Sequence, residues 1–236
     1  MKLSKILAVG TSLILVSGMA FAQRSQETVE GQYMQNAEDV IVTELTASPD
    51  YDNKLLALQY IENAINSGRT SDDMVTSLRS LAGEGITTKS RTNGRIMNNY
   101  PDVRKKACEL LGQVPTEESK NTLLQIATED VEPMVVSAAV RSLGDIGIND
   151  NDEVVNTITF IQRRYAALNP TSSLALEILF AYEKLAPSVE NKQPMIESIG
   201  AIAANYRYTR SVRTYALNLL DQIQSGDSSD NSDSEE

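Results

Sequence analysis

The chain has 236 residues, 41% of them hydrophobic, and a formal charge of −11. That length builds one or two ordinary domains or one small solenoid, and the negative charge speaks against nucleic acid and anionic membrane surfaces as partners. His and Trp are absent and Cys occurs once, which excludes His-based nucleophile triads, most zinc sites, His-ligated haem and any internal disulfide.

Residues 1–22 read as a secretory signal peptide. Met1-Lys2-Leu3-Ser4-Lys5 is a basic start, Ile6 to Val16 is an apolar run, and Ala20-Phe21-Ala22 is a small-x-small cleavage site. The run is short for a membrane span, which takes about 20 apolar residues. No Cys stands at the cleavage site to carry a lipid. The expectation is a mature periplasmic chain starting at Gln23, with no membrane insertion after cleavage. Loss of Lys2 and Lys5 without any acid takes the formal charge from −11 to −13.

Residues 23–35 are polar and are expected to form a flexible N-terminal segment. Residues 36–225 carry helical periodicity almost throughout, divided by Ser48-Pro49-Asp50, Ser67-Gly68, Tyr100-Pro101, Val114-Pro115, Glu132-Pro133, Asn169-Pro170 and Ala186-Pro187. Ser71 and Thr116 precede acidic residues, the pattern of helix N-termini. Residues 226–236, GDSSDNSDSEE, are expected to be a disordered acidic tail.

One pattern recurs along the helical region. In Pro101 to Val114, Val103, Ala107, Leu111, Gly112 and Val114 fall on Val135, Ala139, Leu143, Gly144 and Ile146 of the stretch starting at Pro133. The frame returns at Leu174, Ile178, Leu179, Tyr182 and Leu185, at Val212, Ala216, Leu217, Leu220 and Ile223, and more loosely at Lys54, Ala57, Leu58, Ile61 and Ala64. These positions form one face of a helix. The column holding Ala57, Ala107, Ala139, Ile178 and Ala216 is mostly small, which lets a neighbouring helix approach closely. Each interval leaves room for one further helix, near 71–82, 116–128, 152–168 and 192–206, and a helix near 36–46 precedes the first copy. Two helices per ~40 residues is the period of an α-solenoid.

Val103-Arg104-x-x-Ala107-x-x-x-Leu111-Gly112-x-Val114 resembles the HEAT-repeat signature in its short bacterial, bilin-lyase-type form, and Val212-Arg213-x-x-Ala216-x-x-x-Leu220 is a second copy. The resemblance covers about residues 49–224. Glu62, Glu183 and Asp221 replace the Gly, and Val136 and Ala175 replace the Arg, so the repeats are irregular. The resemblance implies an all-α, right-handed α-solenoid of about five irregular HEAT-like helix pairs. It further implies a non-catalytic scaffold or adaptor without a cofactor, holding a protein or peptide partner on the solenoid surface. A structural subunit of a cell-envelope machine such as a motor or secretion apparatus is the alternative. A lyase-like, cofactor-handling protein is a weaker one. The metal-hydroxylating relatives use His–Glu pairs, which this chain cannot supply.

No residue stands out as catalytic or metal-binding. Cys108 falls in an apolar column and is expected to be a buried, inert thiol. The acids at Asn149-Asp150-Asn151-Asp152-Glu153 lack the glycine and spaced Glu of a calcium loop and read as a turn with a helix N-cap. Two basic groups remain as candidate partner-binding sites. The segment Glu84–Tyr100 is read as a long loop carrying Lys89, Arg91 and Arg95, with Tyr100 at its end; it is either a solvated insertion or a contact site for an acidic or polar partner. Arg207, Tyr208, Arg210 and Arg213 combine Arg with Tyr, the composition of interface hot spots, or form an ordinary turn. Arg104-Lys105-Lys106 and Arg163-Arg164 read as solvated helix faces.

Overall fold

The computed structural model describes residues 29–230, with side chains described for residues 34–225. The stretch 1–22 read as a signal peptide and residues 231–236 of the stretch read as a tail lie outside the described residues. Among the described residues, ten α-helices follow in chain order: α1 (Val29–Ala47), α2 (Tyr51–Asn66), α3 (Asp72–Ala82), α4 (Pro101–Leu111), α5 (Glu117–Glu129), α6 (Pro133–Ile146), α7 (Glu153–Leu168), α8 (Ser172–Leu185), α9 (Gln193–Ala204) and α10 (Arg210–Asp230). A two-stranded hairpin, β1 (Arg91–Thr92) and β2 (Arg95–Ile96), stands between α3 and α4.

The helices start where local chemistry lets them. Asp50 accepts from the Asp52 amide, Ser71 Oγ from the Met74 amide at 3.2 Å, and Thr116 Oγ1 from the Ser119 amide at 3.1 Å, each satisfying a donor that the first helical turn leaves over. Pro101 and Pro133 open α4 and α6, where a missing amide proton costs nothing.

The helices pair as α1–α2, α3–α4, α5–α6, α7–α8 and α9–α10. The even helices then pack successively, α2 on α4, α4 on α6, α6 on α8 and α8 on α10. The odd helices do the same from α1 to α9. This two-layered stack of five pairs is an α-solenoid. The core runs between the layers as one band of Leu, Ile, Val and Ala, with Tyr182 its most deeply buried aromatic member. Tyr182 is buried between Thr159 and Ser198, bonded to both at 2.9 Å, and burial raises its hydroxyl to about 12.

The recurring Ala and Gly positions lie where helices touch most closely. Ala57, Ala107, Ala139 and Ala216 are fully buried. A Cβ on Gly112 would stand 2.7 Å from Ser142 side-chain atoms, and one on Gly144 would stand 2.7 Å from the Ala181 Cα. Glycine therefore sets the α4–α6 and α6–α8 spacing.

Three sequence expectations change here. The helix α1 begins at Val29, inside the segment 23–35 read as flexible. That segment is polar but contains good helix formers such as Glu30, Gln32 and Met34, and a helix at the end of a stack has only one face to bury. The helix α10 runs to Asp230, five residues into the stretch read as a tail, since no Pro stops it. Leu217, aligned with buried residues of earlier copies, is 54% exposed. It lies on the last helix, with no further pair to cover it.

Candidate functional site: the turn edge of the solenoid

The turns inside the five pairs follow one another along one edge of the stack, and both basic groups lie on it. Contacts tie this edge together. Arg104 at the start of α4 binds Asp130 between α5 and α6, Arg164 near the end of α7 donates to the Thr128 carbonyl near the end of α5, and the Thr209 amide before α10 donates to Ser172 Oγ at the start of α8. The two basic groups are not brought into one site. They sit three pairs apart, in the second and fifth turns.

The first group is more ordered than a solvated loop. After α3, the Gly83 carbonyl accepts from the amides of Ile86, Thr87 and Thr88 at 2.9–3.3 Å. Arg91 then pairs with Ile96 and Thr92 with Arg95 in an antiparallel ladder. Asn93 and Gly94, with φ of 50° and 80°, make the turn. Two consecutive left-handed residues match the twist of a tight hairpin. The Asn93-Gly94 pair is the sequence signal for this element, and strands of 2 residues each are too short to show an alternating pattern.

Asn98 fastens the hairpin to the stack. Its amide donates to Glu84 Oε1 at 2.5 Å and the Thr88 carbonyl at 2.7 Å, and its carbonyl oxygen accepts from the Ser90 amide at 2.8 Å. Gly85 passes so close beneath that a Cβ there would stand 2.4 Å from the Asn98 carbonyl oxygen, and its φ of 75° also favours glycine. Glu84 does not pair with the loop cations. It is buried and bound by Lys54 Nζ at 2.9 Å.

The side chains of Lys89, Arg91 and Arg95 are exposed and, among the described residues, make neither a hydrogen bond nor an ion pair. Tyr100 is half-buried, its ring 5.1 Å from that of Tyr51. It lines a cleft of about 290 Å³ between the α1–α2 turn and the hairpin base.

The second group splits. Arg207 and Arg210 are exposed and likewise lack ion-pair and hydrogen-bonding partners for their guanidinium groups among the described residues. Tyr208 is buried at 5% exposure and belongs to the core, so it presents no contact surface. Arg213 is half-buried, with its Nε fully enclosed. Composition alone does not say which face of a turn points inward. Nearby, the Tyr215 hydroxyl donates to Glu183 at 2.7 Å and lies edge-on to Phe180. Burial first and this bond second raise it to about 12.

The reading of Arg104 as solvated is overturned. Its guanidinium is 1% exposed and its partner Asp130 is fully buried, with Arg104 Nε 2.7 Å from Asp130 Oδ2. It also donates to the Glu84 carbonyl at 3.2 Å and Asn99 Oδ1 at 2.9 Å, joining the hairpin base to the third pair. Lys105 and Lys106 are half-buried and paired with Glu109 and Glu62. Arg163 is exposed, whereas Arg164 is half-buried on Tyr165.

Cys108 is fully buried, and burial pushes its thiol well above the usual range. Asp152 is positioned as the N-cap of α7 but makes no side-chain cap bond. Its carboxylate instead accepts from the Glu190 and Asn191 amides at 3.0 and 2.8 Å, bonds that lower its pKa.

Residues 95–159 match the family model for HEAT repeats. This part of the chain is built of HEAT repeats. The match runs from the hairpin's second strand into α7 and takes in both glycine contacts' N-terminal partners, Gly112 and Gly144. No curated protein and no solved structure matches the chain. A helical protein-interaction scaffold is the role this HEAT architecture supports. Among the described residues, no helix is long and apolar enough to cross a membrane.

Proposed function

We propose that this chain is a non-catalytic scaffold of the bacterial periplasm that holds a protein partner along the turn edge of its solenoid. The periplasmic part rests on the three-part leader in residues 1–22. The edge is supported by one observation about charge. Most Lys and Arg residues of the described region are engaged by carboxylates or carbonyls. Lys89, Arg91, Arg95, Arg207 and Arg210, which have no such partner among the described residues, all stand on this edge. In a chain of formal charge −11, unpaired cations gathered on one edge favour an acidic partner surface and raise its rate of encounter. The core cysteine and the satisfied Asp152 offer no reactive group there.

The test is crosslinking in intact cells with a photoreactive residue in place of Thr92. A discrete adduct is expected, strongly reduced by Arg91→Glu with Arg95→Glu while the circular dichroism melt stays the same. Osmotic shock should release a chain whose first residue is Gln23. An adduct indifferent to the charge reversal would defeat the edge as a binding surface, and a retained chain beginning at Met1 would defeat the compartment.

A further inference from the structure

The cleft beneath the hairpin is built unlike the rest of the surface. Its floor is Lys54, 3% exposed, and its wall includes Thr46, 7% exposed. An ammonium has three protons to donate. The Thr46 carbonyl takes one at 3.0 Å and Glu84 Oε2 a second at 2.9 Å. Glu84's other oxygen is bound by Asn98, so the one carboxylate in the lining is satisfied from both sides. Thr46 Oγ1 is enclosed and has no hydrogen-bond partner among the described residues. A buried hydroxyl left unpaired costs stability. Ser48 Oγ accepts from the Asp50 amide and from Asn53, which leaves its own proton to give. The lining therefore offers donors, and its one carboxylate is already occupied.

The hairpin extends this chemistry outward. The Met97 amide bonds to the Ser90 carbonyl, and both residues line the cleft. Side chains alternate along a strand, so Arg95, two residues from Met97, stands on the hairpin face that looks over the cleft.

We propose that this cleft is an anchor site for a carboxylate side chain of an acidic peptide segment in the partner protein. The carboxylate accepts from Thr46 Oγ1 and the remaining Lys54 proton, while Arg95 draws the flanking acidic residues. The volume, about 290 Å³, suits one side chain at the low end of ligand cavities. This rests on the turn-edge reading above and names where on that edge specificity arises.

The experiment uses the mature chain and fluorescence anisotropy with a labelled peptide of alternating Glu and Ser, against the same peptide carrying Gln for Glu. The Glu peptide should bind, the Gln peptide should not, and binding should weaken steeply with salt. Thr46→Val separates a ligand site from a structural one. It removes an unpaired hydroxyl with little change of shape, so the melting temperature should hold or rise, while affinity for the Glu peptide falls about tenfold. Wild-type affinity in Thr46→Val, or equal binding of the two peptides, overturns the cleft. Arg95→Glu should also abolish binding without altering the melt. If Thr46→Val binds normally but Arg95→Glu does not, the edge stands and the cleft falls. If neither variant matters, both fall.

Discussion

Arg104→Met removes one partner of a fully enclosed ion pair, and its cost follows from what remains. In the native chain the guanidinium makes two bonds to Asp130, at 2.7 and 3.3 Å, and one each to the Glu84 carbonyl and Asn99. Met keeps the apolar stem against the core but leaves the Asp130 carboxylate with only the Glu132 amide, 2.9 Å from Oδ1. A buried charge stripped of its counterion costs about 3–5 kcal/mol. For a chain of this size that corresponds to a fall of roughly 6–20 °C in melting temperature. Asp130→Asn keeps an acceptor for Glu132 and needs no counterion. The Arg104→Met, Asp130→Asn double variant should therefore be more stable than the sum of its parts predicts, by about 1–3 kcal/mol. Urea unfolding followed by circular dichroism measures all three variants. Because Arg104 also holds Glu84 and Asn99, amide exchange at Ser90 and Met97 should quicken in Arg104→Met. A single-variant cost below about 1 kcal/mol, or strict additivity of the two substitutions, would refute the pair as a strut between the hairpin base and the third helix pair.

Other substitutions probe the stack itself. Gly144→Ala places a methyl 2.7 Å from the backbone of Ala181, which cannot rotate away, and Ala139→Leu overfills a fully buried contact; each should cost about 1–3 kcal/mol, and undiminished thermal melts would show that the α6–α8 spacing is not fixed there. Cys108, its thiol raised by burial, should resist iodoacetamide at pH 8 in native protein and react fully in urea, as mass spectrometry would show. Asp152, its carboxyl lowered by backbone amides, stabilises the fold above its unfolded pKa, and that stability drains away as pH falls through the folded value. Asp152→Asn should thus be less stable than wild type at neutral pH and converge with it in acid, and a constant gap from pH 7 to 2 would contradict that.

The sequence by itself determined the helices and their pairing, because both depend on information a few residues apart. Pro101, Pro133, Ser71 and Thr116 mark helix starts through their own backbones and side chains. The spacing of Val103, Ala107 and Leu111 defines a buried face without reference to anything distant, and its recurrence announces a stack. Exposure of Lys89, Arg91 and Arg95 was legible too, since a polar run flanking Asn93-Gly94 has nothing to bury. What required the tertiary structure was the fate of polar residues inside helices and turns. Arg104 looks like the first of three surface cations until Asp130, 26 residues away, is seen to enclose it. Lys54 is a misfit in an apolar column until Glu84 crosses the first two pairs to meet it. Tyr208 reads as a hot spot until the turn rotates its ring inward, and Leu217 reads as core until the stack ends beside it. The cleft at the hairpin base belongs to this second class. Nothing along the chain joins Thr46 to Lys54, and only the docking of the second pair on the first places an unpaired hydroxyl and a buried ammonium in one opening beside the hairpin.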